Sequence, residues 1–339
     1  MSKNGGKKDN LSPEMRFAEW ATYWMESTKD FRVVTTDAKY EEILNSILIP
    51  GLGERRLGEI TEDTILACLT KEKAEGRSNS RLISIFSVLT AILTGAVNHN
   101  LIERNPCLTV KLPRRVRQEC AILTDADIRK MMETYGTHRY MPMILTMLFL
   151  GLRVGEAIGL DWTRVDLEAR TVTIDCQMVS YYSEGRTQTK LVPYTKNRVK
   201  RVLPLCDQAY QCLCDLKDEQ VLPSGKAEEQ LSGPVFREAD GSYVKYAAFY
   251  YEFNKLMTAI GREDVHPHSL RHTAASTLLY TTGDLLLVKE FLGHRSIRSS
   301  EAYPEATEEE KLETANAIDR YYGFWLRWFF EEADSDKKI

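Results

Sequence analysis

A histidine-rich segment, His266-Pro267-His268-Ser269-Leu270-Arg271-His272, combines residue types that could act on a metal or on a phosphate. His268 and His272 have the i, i+4 spacing of two zinc ligands on a helix, but Ser269 stands where a zinc protease carries its glutamate base. His268 and Arg271 are one helical turn apart, so an imidazole and a guanidinium share one face of a helix. This pair suits a phosphate. We therefore predict no metal site in this segment.

A second arginine, Arg153, lies in Gly-Leu-Arg-Val-Gly-Glu at the end of an apolar stretch, three residues before Glu156. Taken alone, such a pair is most often an exposed ion pair of little consequence. The segment is not a G-x-G-x-x-G fingerprint, and the chain has no glycine-rich phosphate loop, so we predict no nucleotide cofactor. Cys206, Cys212 and Cys214 lack the spacing of a structural zinc site and are interpreted as small buried hydrophobic residues.

Basic residues gather in two places although the net charge is −4. Runs of charge are usually solvated surfaces, but a linker and a strand region rich in lysine and arginine are modest evidence for phosphate contact. Acidic residues outnumber basic ones by five in residues 305–339, so the rest of the chain is nearly neutral. The candidate DNA contacts are Arg104, Lys111, Arg114, Arg115 and Arg117 in the first cluster and Arg198, Lys200 and Arg201 in the second, which also contains Lys190 and Lys196.

Six side chains in chain order form a set that resembles the tyrosine recombinases, also called phage integrases. They are Arg153 in G-L-R-V-G-E, Lys196 in T-K-N-R-V-K-R-V-L-P, His268 and Arg271 in H-S-L-R-H-T-A-A-S, His294 in L-G-H, and Tyr303. The interval of three from His268 to Arg271 and of nine from His294 to Tyr303 match the intervals usual in that family. Two features depart from it: Pro304 follows Tyr303, and the tail that follows is unusually acidic.

The resemblance implies a role for each of these residues. Tyr303 would attack the scissile phosphorus and form a 3′-phosphotyrosyl link, with Arg153 and Arg271 on the non-bridging oxygens. Lys196 would protonate the departing 5′ oxygen, His268 would exchange a proton with Tyr303, and His294 would hydrogen-bond the phosphate. Glu156 and His272 would orient the arginine and the histidine. The reaction would require no metal ion and no ATP, so we predict that the protein uses no cofactor.

Helical periodicity dominates the elements that must position these residues. Phe17, Trp20, Ala21 and Trp24 recur at helical spacing after Ser12-Pro13-Glu14, and further helices are predicted over Thr36–Leu48, from Thr61, and over Ser80–His99. A later helix opens at Thr124, Thr171–Ile174 alternates as a strand, and Leu191–Leu205 is predicted to be a hairpin. The fold class is therefore α+β, mainly α: a helical bundle followed by a mixed domain of helices with a small antiparallel sheet.

Five segments follow from this pattern and the resemblance: a flexible start at residues 1–10, a helical core-binding domain at 11–105, a basic linker at 106–122, a catalytic domain at 123–304, and an acidic aromatic tail at 305–339. The core-binding domain would end in Leu-Ile-Glu-Arg-Asn-Pro. We expect no arm-type DNA-binding domain ahead of residue 11, as in two-domain recombinases. The aromatic tail is expected either to pack on its own domain or to dock on a neighbouring protomer.

Composition places the protein in a soluble class. Hydrophobic residues make up 43% and charged residues 28%, and the most apolar stretch, Met141–Leu152, is too short for a membrane span. No signal peptide is visible, and the odd number of seven cysteines favours a reducing compartment, so we predict a cytoplasmic protein without a membrane partner.

The function predicted from these features is site-specific cleavage and rejoining of double-stranded DNA by a recombinase. The sequence leaves open whether this recombinase serves a phage, a conjugative transposon or the resolution of chromosome dimers. A homotetramer on DNA is expected, with tail exchange between protomers and an accessory DNA-bending protein as further expectations. Two alternatives remain: a type IB topoisomerase that relaxes DNA without pairing sites, and a catalytically idle relative that only binds DNA.

Overall fold

The computed structural model describes residues 11–112, 120–183, 185–221, 232–293 and 312–322. Helices dominate these residues, and short strands form two small sheets, so the predicted class, α+β and mainly α, is confirmed. The chain divides into two compact units. The first comprises Met1–Gln118 with Ser180–Gln188, and the second comprises Glu119–Val179 with Thr189–Ile339.

The first unit is a bundle of short and medium helices. Thr61 and Ser78 cap two of them, because their hydroxyl oxygens accept from the backbone N–H groups of Thr64 and Arg81. The first helix begins at Phe17 rather than at Pro13, since the residues before it form a turn. The helices are α1 (Phe17–Ser27), α2 (Val34–Ile43), α3 (Ile49–Leu52), α4 (Glu62–Ala74) and α5 (Asn79–Asn98), with a π-helical segment at Leu44–Leu48.

The core of the first unit is built around α5. Trp20 is fully buried, and its indole N–H donates to the carbonyl oxygen of Ile92 over 3.0 Å. An 18-residue window within the 20-residue helix α5 has a mean hydropathy of 1.7. By length and composition this helix could cross a membrane, contrary to the expectation that no segment could. Its Leu82, Ile85 and Leu89 lie in the bundle core, and core packing accounts for this composition.

The first residues of the predicted basic linker, 106–110, lie in the first unit. Pro106–Leu108 forms a 3-10 turn, and Cys107 and Val110 are buried in the core of the first unit. The turn is capped by Asn105, whose side-chain oxygen accepts from the N–H of Cys107 at 2.9 Å. Residues 106–110 are therefore part of the bundle, because Cys107 and Val110 complete its core, although Leu108 is exposed.

The second unit contains a larger core built from helices on both sides of α7. Nine of the ten residues of α7 are buried, which explains why this stretch is continuously apolar. The helix before α7 begins at Asp125 and is capped by Thr124, as predicted. The helices are α6 (Asp125–Tyr135), α7 (Met141–Leu150), α8 (Val154–Ile158), α9 (Asp207–Val221), α10 (Tyr246–Ile260), α11 (Pro267–Thr282) and α12 (Leu285–Leu292).

The strands form one three-stranded and one two-stranded sheet: β1 (Val165–Asp166), β2 (Thr171–Ile174), β3 (Gln177–Ser183), β4 (Arg186–Val192) and β5 (Arg201–Pro204). Strand β2 lies between β1 and β5 and pairs with both in antiparallel fashion, with Val172 opposite Leu203. The prediction of a hairpin over Leu191–Leu205 is wrong. Strand β4 pairs with β3, so the loop after it connects two sheets instead of turning back on one strand.

Residues 312–322 form a helix that packs on the second unit. The Tyr322 ring is buried 5.6 Å from that of Phe149, and its hydroxyl lies 3.0 Å from that of Thr277. For this stretch the structure shows packing of the tail on its own domain. The later aromatic residues, Phe324, Trp325, Trp328, Phe329 and Phe330, lie outside the described residues.

Candidate active site

A buried carboxylate, Glu156, forms the centre of the candidate site. It lies in the first turn of α8, where one oxygen accepts from the backbone N–H of Arg153 at 3.0 Å and the other from the Arg153 guanidinium at 2.7 Å. The guanidinium of Arg201, on β5, donates to both oxygens over 3.3 and 2.7 Å. Burial acts to raise the pKa of Glu156, but the charge and hydrogen bonds of Arg201, with those of Arg153, hold it at about 2. Glu156 is therefore ionised near neutral pH.

Arg271, on α11, is the third arginine at this carboxylate. Its side chain is only 2% exposed, and its Nη1 lies 3.9 Å from Glu156. The same atom donates to the carbonyl oxygen of Gly151 over 2.7 Å, and Nη2 donates to that of Leu292. Arg271 thereby joins the ends of α7 and α12 to α11.

Positive charge exceeds negative charge in this cluster, because Arg153, Arg201 and Arg271 surround the single carboxylate of Glu156. Burial, and then the charge of Arg153, lower the pKa of Arg271 to about 9. The Nε groups of Arg201 and Arg271 are buried and have no hydrogen-bond partner in the part of the chain that the structure describes. A buried excess of guanidinium groups is costly unless an anion is bound nearby, so the cluster is suited to a phosphate.

Two histidines extend the site along α11. The rings of His268 and His272 stand edge to face with their centroids 4.8 Å apart. Desolvation and the positive charges of neighbouring groups, including Arg271, Arg153 and Lys196, lower the pKa of His268 to about 4. Burial and Arg271 also lower the pKa of His272. Both imidazoles are therefore neutral at pH 7 and able to accept a proton.

Lys196 lies in the loop between β4 and β5, not in a hairpin. The N–H of Arg198 donates to the carbonyl oxygen of Thr195 over 2.9 Å, which places Lys196 and Asn197 at the centre of a four-residue turn. Lys196 is exposed, and its charge acts on His268 on the neighbouring helix. The structure thus brings together Arg153, Lys196, His268 and Arg271, with Glu156 and His272 beside them.

The two remaining residues of the predicted set, His294 and Tyr303, lie outside the described residues. Gly293, in the left-handed conformation, ends α12 immediately before His294. Its carbonyl oxygen accepts from the Asn197 side chain at 2.7 Å. The position immediately before His294 is therefore held against the loop of Lys196.

The predicted DNA contacts divide into three groups. Arg104, Lys111, Arg198 and Lys200 are exposed, so they are free to meet a phosphate backbone. Arg114, Arg115 and Arg117 lie outside the described residues. Arg201 differs from the exposed cations: its guanidinium is buried on Glu156 with a side-chain exposure of 6%, so its contact with DNA stays a prediction.

Arg201 is the main site residue whose position sequence reasoning missed. A signal existed in the strand periodicity, since Arg201 and Leu203 are two apart and must face the same side of β5. Leu203 is 1% exposed, so the shared face is the buried one. The backbone acceptors of Arg271, at Gly151 and Leu292, left no such signal.

Matches to two family models cover most of the chain. Residues 121–310 match the model described as "Phage integrase family", and residues 17–112 match "Phage integrase central domain". A relative named "Tyrosine recombinase XerC" from Brucella suis biovar 1 is 27% identical over 312 residues, which is 86% of this chain and 90% of the relative.

Solved structures share the fold. The Tn1549 transposon integrase bound to transposon right end DNA has a TM-score of 0.71 at 16% identity, over 91% of this chain and 100% of the other. A lambda integrase tetramer bound to a Holliday junction has a TM-score of 0.65 at 17% identity, over 90% of this chain and 86% of the other. Since the first family model alone spans more than half of the residues, this chain is a member of the phage integrase family.

Proposed function

We propose that this chain is a site-specific DNA recombinase that breaks and rejoins strands through a covalent link to Tyr303. The observation that carries the proposal is the buried cluster of Arg153, Arg201 and Arg271 around Glu156, with His268 and Lys196 beside it. An excess of fixed guanidinium charge in a water-poor site is suited to a pentavalent phosphate, whose charge develops on its non-bridging oxygens. Membership of the family that breaks and rejoins DNA agrees with it.

Arg153 and Arg271 bind the two non-bridging oxygens of the scissile phosphate. Both are held in advance: Arg153 by Glu156, and Arg271 by the carbonyl oxygens of Gly151 and Leu292. Arginine remains charged and can donate two parallel hydrogen bonds, which suits a planar pair of phosphate oxygens. Fixing both guanidinium groups before DNA binds avoids reorganisation during the reaction.

In the cleavage step the Tyr303 hydroxyl oxygen forms a bond to phosphorus, and the bond from phosphorus to the 5′ oxygen breaks. The phenol proton passes to His268, which is neutral at pH 7 because its pKa is about 4. Lys196 gives a proton to the departing 5′ oxygen, and His294 donates a hydrogen bond to the phosphate. His272 orients His268 by edge-to-face packing.

In the rejoining step a 5′ hydroxyl from a second strand attacks the phosphotyrosyl phosphorus, and the bond to Tyr303 breaks. His268 returns its proton to the tyrosine, and Lys196 recovers a proton from the attacking hydroxyl. The phosphotyrosyl link conserves the phosphodiester bond energy, so the scheme includes no step for ATP or a metal ion.

Double-stranded DNA is the partner, and the protein assembles as a multimer on it, as the lambda integrase tetramer does on a Holliday junction. Exposed Arg104, Lys111, Arg198 and Lys200 contact phosphates, which makes binding dependent on salt. We further propose a homotetramer, an accessory DNA-bending protein, and a cytoplasmic location. The tail beyond residue 322 docks on a neighbouring protomer. Truncation after Tyr322 that left assembly and cleavage unchanged would rule out this last point.

The test uses a nicked duplex carrying the DNA site that the purified protein selects from a random-sequence pool. When the protein attacks this duplex, the short strand that carries the new 5′ hydroxyl dissociates at the nick. Rejoining is then impossible, so the covalent adduct accumulates and can be measured on a denaturing gel. We expect an adduct with the wild-type chain and none with Tyr303→Phe. An adduct that still forms with the variant would show that a residue other than Tyr303 is the nucleophile.

The same protein distinguishes the alternatives. A type IB topoisomerase would relax a supercoiled plasmid that lacks the selected site, whereas a recombinase requires two copies of the site. An idle DNA-binding relative would bind the duplex and form no adduct. Recombination of two selected sites on one plasmid, seen by restriction mapping, is the positive outcome.

A further inference from the structure

The loop of Lys196 is held by more contacts than its exposed position suggests. Inside the loop, the Thr195 hydroxyl donates to the carbonyl oxygen of Val199 over 3.0 Å, and the Thr195 side chain is buried. The turn bond from Arg198 to Thr195 then fixes the two residues between them, Lys196 and Asn197. Because these two occupy adjacent central positions of one turn, fixing the side chain of Asn197 also fixes where the Lys196 side chain begins.

Asn197 joins this turn to the end of α12. Its side-chain amide donates to the carbonyl oxygen of Gly293 over 2.7 Å, across 96 residues of sequence. Gly293 has a φ of +68°, and a Cβ added there would lie 3.3 Å from Nη1 of Arg201. Gly293 is thus held on one side by Asn197 and closely packed on the other against the arginine of the Glu156 cluster.

Electrostatics explains why such an anchor is needed. The charge of Lys196 acts on His268, which lies on the same helix as Arg271 of a cluster in which three guanidinium groups surround one carboxylate. Without a bound phosphate this cluster offers the ammonium no net attraction. Lysine also has a long flexible stem and high rotamer entropy, and nothing in its own side chain directs it toward the site. Without a fixed turn, rotamer entropy and hydration of the ammonium would favour conformations in which Lys196 points to solvent.

We propose that Asn197 is a positioning residue for Lys196: its hydrogen bond to Gly293 fixes the lysine turn to the end of α12, so that Lys196 is directed at the 5′ oxygen. This inference rests on the proposed function, since it assigns to Asn197 an effect on the proton that Lys196 delivers. It also joins two parts of the site that are distant in sequence, the turn of Lys196 and the residue immediately before His294.

The test compares two forms of the nicked duplex selected by the protein. One carries the ordinary 5′ oxygen at the scissile phosphate, and the other carries sulfur at that bridging position. A thiol has a pKa near 8.5, so a thiolate leaves without a proton, whereas an alkoxide leaves poorly unless it is protonated. Loss of the proton donor therefore slows cleavage of the oxygen substrate but not of the sulfur substrate.

On the oxygen substrate we expect Lys196→Ala to slow adduct formation about 10²–10⁴-fold, the usual contribution of a general acid. Asn197→Ala should slow it about 10–10²-fold, the effect of a small misplacement of a catalytic group. On the sulfur substrate both variants should react at the wild-type rate. The double variant Lys196→Ala, Asn197→Ala should be no slower than Lys196→Ala alone, because both changes affect one proton transfer.

Controls separate this role from a general loss of structure. Gln211→Ala removes a side-chain amide that donates to Asp215 on the surface of α9, and we expect no change on either substrate. Arg271→Ala should remain slow on both substrates, since it affects the phosphate and not the leaving group.

If Asn197→Ala is equally slow on the sulfur substrate, Asn197 does not act through Lys196 and the inference is wrong. If it matches wild type on the oxygen substrate, the anchor has no role and the inference is also wrong. If the wild-type chain forms no adduct on either substrate, the proposed function itself fails.

Discussion

At the scale of single residues, the candidate site depends on a buried ion cluster. Glu156 accepts from Arg153 and Arg201 and lies 3.9 Å from Arg271, and none of these side chains is more than 15% exposed. Removing one partner of a buried pair leaves an uncompensated charge, which costs much more than the pair itself contributes.

Glu156→Gln removes the negative charge but keeps the shape of the side chain. We expect the free energy of unfolding of the second unit to fall by about 3–5 kcal/mol, the cost of breaking a buried pair, and adduct formation to fall with it. Urea unfolding followed by fluorescence measures the first effect. Glu252→Gln is the matched control, because this partly exposed carboxylate lies 3.9 Å from Lys255 and 3.5 Å from His138, and the expected change is about 0–1 kcal/mol. Equal effects of the two variants would contradict this account.

Glu156 also contributes to acid sensitivity. Its pKa is about 2 in the folded chain against an ordinary value of 4.5, so the folded state favours the carboxylate. The resulting stability is fully present above pH 4.5 and is lost as the pH falls toward 2. Glu156→Gln should therefore show a shallower loss of stability in this range than the wild-type chain.

His268 should titrate at an unusually acidic pH. Its pKa is about 4 in the folded chain against an ordinary 6.5, so its neutral form is favoured, and its contribution to stability is lost as the pH falls from 6.5 through 4. Lys196→Ala removes one positive neighbour, so we expect the pKa of His268 to rise, as seen by NMR titration of its ring protons. Lys255→Ala, on α10, should leave that pKa unchanged. An unchanged value in Lys196→Ala would mean that the lysine does not face this histidine.

At the scale of elements, the ends of α7, α11 and α12 meet at the arginine cluster. Gly151 ends α7 with a φ of +58°, and a Cβ there would lie 2.3 Å from Cδ2 of Leu292. Its carbonyl oxygen accepts from Arg271. Only glycine therefore allows the end of α12 to approach while the backbone turns in the left-handed region.

Gly151→Ala tests this close approach. We expect a loss of stability larger than the roughly 1–2 kcal/mol that a left-handed alanine costs, because the end of α12 must also move. Adduct formation should fall too, since Arg271 loses its fixed position. Gly283→Ala is the matched control: its φ is +68° and a Cβ there meets nothing within 4 Å, so only the backbone cost applies. Thermal unfolding compares the two, and equal losses would show that the contact with Leu292 is unimportant.

At the scale of the whole molecule, net charge is a poor guide to DNA binding, because some exposed cations already form ion pairs with carboxylates of the protein and others do not. Arg104 and Lys111 are exposed cations of the first unit that form no ion pair with another described residue, whereas exposed Arg16 and Arg56 form ion pairs with Glu54 and Glu14. An unneutralised cation releases counterions when it meets a phosphate, which increases the dependence of binding on salt.

The double variant Arg104→Ala, Lys111→Ala should lower the slope of log affinity against log salt concentration by about 1.8, or about 0.9 for each phosphate that the protein no longer neutralises. The double variant Arg16→Ala, Arg56→Ala removes the same formal charge and should leave the slope nearly unchanged. Fluorescence anisotropy with the selected duplex at several salt concentrations measures both. Equal slopes for the two variants would show that Arg104 and Lys111 do not bind phosphates.

The sequence by itself determined the fold class, the helix starts at Thr61 and Thr124, and the family, because caps, periodicity and the spacing of His268 and Arg271 are local properties of the chain. Tertiary structure alone decided the partners of these residues. Arg201, a candidate DNA contact in the sequence, is buried on Glu156, and β4 pairs with β3 instead of β5. The acceptors of Arg271 and Asn197 are backbone carbonyl oxygens, which every residue carries, so no residue type marks them. Which carbonyl lies within reach depends on how distant helix ends pack, and that is settled only when the core forms.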